Sequence, residues 1–341
     1  MTRQTYNVAI VGATGAVGEV MREILEQRNF PVDNLYLLAS ERSAGTQLNF
    51  KNKSITVEDL ADFDFSKADI ALFSAGGSIS REYAPKAAHA DCVVIDNTSE
   101  FRYDDDIPLV VPEVNSAAIA NYRSKRIIAN PNCSTIQMLV ALKPIYDSVG
   151  IEKINVATYQ AVSGSGKSAI DELARQTAEL MNGKEVTKKV YPHQIAFNVL
   201  PHIDTFQDNG YTREEMKMVW ETHKIMGDDL IKVNPTAVRV PVFYGHSEAI
   251  HLETREKIST EQARAILAQA DGITLLDDAD QAVYAMPATD AAGKDEVWVS
   301  RVRQDVSSQY GLNLWVVSDN IRKGAALNSI QIAEELIKNY L

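Results

Sequence analysis

The sequence predicts an α/β protein: a Rossmann-type, doubly wound, mostly parallel sheet, followed by an α+β region with a mixed or antiparallel sheet. Three observations predict it. Short β-branched runs alternate with helical stretches from Asn7 to Ala129. A glycine turn, Gly12-Ala13-Thr14-Gly15-Ala16-Val17-Gly18, joins the first run to the first helix. Later runs, such as Ala249 to Glu253, alternate apolar and polar residues as half-buried antiparallel strands do.

Composition bounds the function. The 341 residues are enough for about two domains with proper cores. A balance of 34 basic against 46 acidic residues argues against nucleic acid or an anionic membrane surface as the main partner. Only two cysteines occur, Cys92 and Cys133, so no disulfide framework is implied. Val8 to Val11 is too short for a secretory leader and no run could span a bilayer, so a cytoplasmic location is expected. The formal N-x-S matches at Asn52, Asn97 and Asn132 then carry no weight.

In order, the strand Asn7–Val11 leads through the glycines into a helix that carries Val17, Val20, Met21, Ile24 and Leu25 on one face. The G-x-x-G-x-x-G spacing is one residue longer than the common dinucleotide fingerprint. Glycines there let backbone approach a pyrophosphate at a helix N-terminus, although a tight turn needs glycine for sterics alone. The next strand, Leu35–Ala39, ends in Ser40-Glu41-Arg42-Ser43. Glu41 suits the ribose of NAD; Arg42, flanked by two hydroxyls, suits the 2′-phosphate of NADP, the preferred reading over plain loop charges. Strands follow at Ile55–Val57, Ile70–Phe73, Val93–Ile95, Leu109–Val111 and Ile127–Ala129, with a helix from Ser78 to Ala90. Ser74-Ala75-Gly76-Gly77-Ser78 closes a strand and opens that helix, a second candidate for cofactor contact. Cys92 reads as core.

The run Asn130-Pro131-Asn132-Cys133-Ser134-Thr135 breaks a strand and delivers a cysteine to the first turn of a helix continued by Ile136, Leu139, Val140 and Leu142. The positive end of a helix stabilises a thiolate, the reactive form of cysteine. A buried structural cysteine is the alternative. Beyond it come a strand from Ile154 to Val162, a glycine loop Ser163–Ser168 and a helix to Met181. Gly166-Lys167-Ser168 is no P-loop, because the leading glycine would fall on Ala161. Tyr191–Thr205 reads as irregular, and Thr212–Met226 as a helix with Glu221 and Lys224 on one face. The strand Ala237–Val242 carries Arg239 and precedes Gly245-His246-Ser247. Further strands are expected at Glu296–Arg303 and Leu312–Val317, and a closing helix at Arg322–Leu341.

Six ordered blocks together resemble the bacterial aspartate-semialdehyde dehydrogenases along the whole chain. They are Gly12 to Gly18; Ser99-Glu100-Phe101-Arg102; Asn130 to Thr135; Tyr159-Gln160-Ala161-Val162-Ser163-Gly164; Arg239-Val240-Pro241-Val242 with Gly245-His246-Ser247; and Ser318-Asp319-Asn320 running into Arg322 to Asn328. The resemblance implies NADPH-dependent reductive dephosphorylation of L-aspartyl-4-phosphate through a thioester on Cys133, in the biosynthesis of lysine, threonine, methionine and isoleucine. His246 then matches the general acid/base, a group expected to titrate near neutrality, and Gln160 orients substrate. Arg239 matches the clamp on the substrate α-carboxylate and Glu221 the partner of its ammonium group; Arg102, Lys224 and Asn132 match the phosphate pocket. Thr14, Gly15, Ala16 and Val17 would line the pyrophosphate beside Gly12, and Ser40, Arg42 and Ser43 the 2′-phosphate. Gly76 would also touch cofactor, and Ser163, Gly164 and Asn320 would approach the nicotinamide. The resemblance also implies a nucleotide domain of residues 1–131 plus 322–341, a catalytic and dimerisation domain of residues 132–321, and a homodimer or homotetramer. No zinc-ligand spacing occurs, so no metal is expected. The rival readings are a reductase of a related acyl phosphate such as N-acetylglutamyl phosphate, and an NADP-binding paralogue without turnover. A free-amine partner at Glu221 favours aspartyl phosphate.

Overall fold

The computed structural model describes residues 5–341 and divides into two compact units. One comprises the chain up to Asn132 together with Ala325–Leu341; the other is Cys133–Gly324.

In the first unit, strands β1 (Tyr6–Val11), β2 (Val32–Ala39), β3 (Gln47–Phe50), β4 (Lys53–Asp59), β5 (Ile70–Phe73), β6 (Val93–Asp96) and β7 (Ile127–Ala129) form one sheet, in the order β3-β4-β2-β1-β5-β6-β7. Every pair is parallel except the β3–β4 hairpin at the edge. Helices α1 (Ala16–Gln27) and α2 (Gly77–His89) supply crossover connections of the kind parallel strands need. The C-terminal helix, Leu327–Asn339, packs Leu327, Ile330, Ala333 and Leu336 into the core that contains Ile10, Ile24, Leu37 and Ile95. Its Asn328 Nδ2 donates to Asn130 Oδ1 at 2.7 Å and Val110 O at 3.0 Å. The expected strand at Leu109–Val111 is only an isolated bridge of Leu109 to Ala129. Pro108 and Pro112 bracket it, and the chain turns into the short helix α3 (Pro112–Asn115) before a ladder can grow.

The second unit opens with α4 (Cys133–Val149), almost wholly buried: Ile136, Met138, Leu139, Ala141, Leu142 and Ile145 are all at or below 1% exposure. It lies against β8 (Ile151–Gln160), β10 (His246–Thr254), β14 (Val297–Gln304) and β15 (Gly311–Ser318). With β9 (Lys232–Arg239) and β11 (Ile273–Leu275) these strands form a mixed sheet in the order β11-β14-β15-β10-β8-β9. The β8–β9 and β11–β14 pairs are parallel and the others antiparallel, while β12 (Asp277–Asp278) and β13 (Val283–Tyr284) pair with each other in a separate ladder. Helix α5 (Lys167–Met181) follows the glycine loop, and α6 (Arg213–Met226) packs on β9 and α4. Helix α7 (Thr260–Leu267) covers β14. Three boundaries differ from the sequence reading. Strand β8 ends at Gln160, because residues 162–165 form a tight turn. Strand β9 runs earlier than Ala237–Val242, since at a sheet edge Pro235 is tolerated within a strand and Pro241 ends it. The last helix is regular only from Leu327; Arg322–Ala326 is a single wide turn.

Candidate active site and nucleotide cleft

The ends of β1 and β2 and the start of α1 border a cleft of about 560 Å³ in the first unit. Gly12, Thr14, Gly15, Ser40, Arg42 and Ser43 line it, as do Glu41, Asp59, Leu60, Ala61 and Tyr83. Gly12 has φ +92°, and a Cβ there would meet Ser74 and Ala75 at 3.1 Å. A Cβ on Gly18 would collide with Gly12 O, so glycine lets α1 sit on the turn. Backbone N–H groups at the start of a helix, a glycine cradle and a guanidinium at the far side suit a dinucleotide carrying an extra phosphate. Ala16 and Val17 open α1 and Gly76 caps α2 with φ +102°; none of the three is among the lining residues. Asp59, Leu60, Ala61 and Tyr83 had no glycine or charge pattern to flag them.

Arg102, in the same unit, is 6% exposed and donates through Nη2 to Asn97 O at 2.8 Å. Asn132 is equally buried, the last residue before the chain enters the second unit. Nearby Asp96 is raised above the usual carboxylate range by burial, against bonds from Thr98 and Ser80 and the Arg102 charge.

In the second unit, Cys133 is the first residue of α4. Gly324 lies against it: a Cβ on Gly324 would fall 2.7 Å from Cys133 Cβ. One turn along α4, Gln137 Oε1 accepts from Ser318 Oγ at 2.9 Å, and Ser318 is the register partner of His246. The first turn of α4 therefore sits at the His246 end of β10.

Around His246 the sheet brings several predicted residues together. Gln160, at the end of β8, is the register partner of Arg239 at the end of β9. His246 is fully buried, and Ala161 N–H donates to its Nδ1 at 3.0 Å. That bond leaves the neutral ring with its proton on Nε2. Burial, with the Arg239 charge adding to it and Glu214 opposing, pushes His246 down to about 3. The expected titration near neutrality is not met: an imidazole with no solvent and a cation beside it stays neutral.

Arg239 is 4% exposed; Nη1 donates to Ala161 O at 2.7 Å, while Nε has no hydrogen-bond partner among the described residues. A buried guanidinium edge left open fits an incoming oxyacid. Gly164 is exposed, and a Cβ there would crowd Arg239 Nη1 at 3.2 Å and His246 Nε2 at 3.3 Å, so glycine keeps the entry to both open. Asn320 is used as a clasp: Oδ1 accepts from Gly245 N at 3.0 Å and Nδ2 donates to Ser163 Oγ at 3.0 Å, tying the His246 turn to the glycine loop. On α6, Glu221 is fully buried and Lys224 half-buried, one turn apart. Sequence reasoning missed Glu214, two turns before Glu221 on the same face, whose Oε1 accepts from Gln160 Nε2 at 3.1 Å. Its only sequence signal was the i, i+7 spacing to Glu221.

A glycine-bordered cleft on a Rossmann unit, with a cysteine-headed helix and a buried histidine beside a buried arginine in the second unit, suits one class of protein: the nicotinamide-dependent dehydrogenases. The semialdehyde dehydrogenase NAD-binding domain model matches residues 7–122, and the semialdehyde dehydrogenase dimerisation domain model matches residues 142–323. The chain is 63% identical to the aspartate-semialdehyde dehydrogenase of Legionella pneumophila, covering 98% of this chain and 96% of that one. It is 62% identical to aspartate semialdehyde dehydrogenase II of Vibrio cholerae, whose structure complexed with ASA matches with a TM-score of 0.98 over 99% of this chain and 100% of that one. The Candida albicans enzyme, solved with NADP, matches at 26% identity with a TM-score of 0.76, covering 97% of this chain and 98% of that one. The chain belongs to the aspartate-semialdehyde dehydrogenase family.

Proposed function

We propose that this protein reduces L-aspartyl-4-phosphate to L-aspartate 4-semialdehyde with NADPH, releasing phosphate, in the route to lysine, threonine, methionine and isoleucine. The observation that carries the reading is Arg239: a buried guanidinium with an open Nε, beside a neutral His246 and Gln160, in the unit that begins at Cys133. The family and its relatives support the same activity.

Cys133 Sγ, as thiolate at the start of α4, attacks the acyl carbon; the bond to the phosphate oxygen breaks and phosphate leaves with the electron pair. When bound, the reduced nicotinamide supplies a hydride to the thioester carbon. The resulting thiohemiacetal oxyanion is held by the Nε2–H of His246, and as it collapses to the aldehyde the C–S bond breaks and returns the thiolate. Neutral His246 suits this donor role, and no proton need leave the ring. Arg239 holds the α-carboxylate and Glu221 the ammonium group; Arg102, Asn132 and Lys224 are proposed as phosphate ligands. Ser163 and Gly164 are proposed beside the nicotinamide, with Asn320 holding their loop. Thr14 to Val17 are proposed for the pyrophosphate, Arg42 with Ser40 and Ser43 for the 2′-phosphate, and Gly76 as a further contact. The dimerisation-domain match supports a homodimer or homotetramer. A cytoplasmic setting fits a biosynthetic enzyme in which, among the described residues, no helix is long and apolar enough to cross a membrane.

The test is formation of reduced nicotinamide from L-aspartate 4-semialdehyde with NADP or NAD, with and without inorganic phosphate. Phosphate-dependent reduction of NADP is expected, with NAD used less well. Cys133→Ala is expected to abolish turnover while NADP binding, followed by fluorescence titration, stays within about twofold. An active Cys133→Ala enzyme would sink the thioester route, and phosphate-independent turnover would sink the acyl-phosphate substrate.

A further inference from the structure

We infer that Asp96 is a positioning residue for phosphate in the reaction: through Thr98 it sets the turn after β6 that aims the Arg102 guanidinium. The inference deepens the proposed function and rests on it for Arg102 as a phosphate ligand.

Asp96 is the last residue of β6 and fully buried, and three donors converge on its carboxylate. Oδ1 accepts from Ser80 Oγ on α2 at 2.8 Å and from Thr98 N at 3.0 Å, and Oδ2 accepts from Thr98 Oγ1 at 2.7 Å. Both oxygens are acceptors at once, so an amide in this place would turn an NH2 toward a donor. Thr98 passes the constraint along the chain, because its Oγ1 also accepts from Glu100 N at 3.3 Å.

Asn97 stands between the two residues that grip the turn, and it is held from two further sides. Its N and Nδ2 both donate to Phe73 O at the end of β5, each at 3.0 Å, and its Oδ1 accepts from Ser329 Oγ on the C-terminal helix at 2.9 Å. That leaves the direction of the carbonyl fixed, and Asn97 O is the atom to which Arg102 Nη2 donates at 2.8 Å. A guanidinium is planar, so anchoring one nitrogen sets the plane in which the rest of the fork meets an oxyanion. Ordering a long side chain in advance also removes a cost that binding would otherwise carry. Asp96 has Ser80 and Thr98 on its oxygens, so it acts through Arg102 and not on phosphate itself.

The test separates phosphate from the other reactants, by steady-state kinetics of the full-length enzyme with semialdehyde, NADP and inorganic phosphate. Thr98→Val keeps the shape and removes the hydroxyl. It is expected to raise KM for phosphate about tenfold, with KM for the semialdehyde, NADP affinity and kcat at saturating phosphate changed less than about threefold. Thr98→Ser, which keeps the hydroxyl, is expected to return KM for phosphate to within about twofold of wild type. In an Arg102→Ala background Thr98→Val is expected to add almost nothing, since residues that act as a unit are non-additive. A merely structural role reads differently. Asp96 O also accepts from Asn130 N at 2.8 Å, three residues before Cys133, so general loosening would lower kcat even at saturating phosphate. That loss with KM for phosphate unchanged, or equal rises in both backgrounds, would overturn the proposal. Asp96→Asn is expected to act in the same direction as Thr98→Val, and an unaltered KM for phosphate in the folded variant would also count against it. If the wild-type protein proves inactive with the semialdehyde, the functional reading fails on its own, and calorimetric titration of the NADP-bound protein with inorganic phosphate reads the pocket directly. Weaker binding by both Thr98→Val and Arg102→Ala is expected, and equal affinity in wild type and Thr98→Val would refute the positioning role.

Discussion

Single side chains in this protein are specified by what surrounds them more than by what they are. Arg239 has one nitrogen committed to Ala161 O and another open, a division of labour that a planar fork allows and a point charge does not. Arg239→Lys is therefore expected to lower kcat/KM for the semialdehyde about 100-fold while NADP binding is unchanged, as steady-state kinetics and titration would read; unchanged kinetics would remove Arg239 from the site. Glu248, fully buried on β10 two residues beyond His246, is held well above the usual carboxylate range by burial, partly offset by Gln137. A group with a raised folded-state pKa contributes stability that is complete below its unfolded value and fades as pH rises toward the folded one. Glu248→Gln, which stays neutral, is expected to gain on the wild type in unfolding temperature as pH rises above the ordinary carboxylate range. A difference that does not widen with pH would mean that Glu248 is charged in the folded protein. Neither residue's state could be read in the sequence: Arg239 was legible only through its block, and nothing in the sequence singled out Glu248.

At the scale of elements, periodicity carried most of the architecture. Strand β1, the glycine turn and α1 were legible because each has its own signal: a β-branched run, glycines at a forced φ, and a one-faced helix. Leu109–Val111 misled because apolar content mimics a strand, while the flanking prolines decide how far pairing extends. Loop residues 182–200 lack periodicity, and their order comes from α5. Buried Glu172 accepts from three successive backbone N–H groups, Lys189, Val190 and Tyr191. Such long-range capping has no local signature. The wide turn at Arg322–Ala326 places Gly324 against the first residue of α4. Gly324→Ala is expected to lower kcat by about tenfold or more while nucleotide binding, carried by the other unit, persists. Full activity in that variant would show that Cys133, the proposed nucleophile, tolerates displacement by a methyl group.

For the whole molecule, family blocks made both the class and the candidate site legible, whereas the nucleotide cleft was read from glycines and an arginine alone. What stayed hidden was the division of roles around His246, since a tautomer depends on which backbone group faces the ring. The contact between Gly324 and Cys133 has a consequence for the chain's history. Cys133 and Gly324, the two ends of the second unit, lie against each other, so that unit is an insertion in the sequence of the first whose ends close on themselves. Joining Asn132 to Ala325 through about four glycine and serine residues should cost little loop entropy and return a self-contained mononucleotide fold. That miniature is expected to keep the cleft and bind NADP with no enzymatic activity; a chain that fails to fold would show that the two halves can no longer be inherited separately.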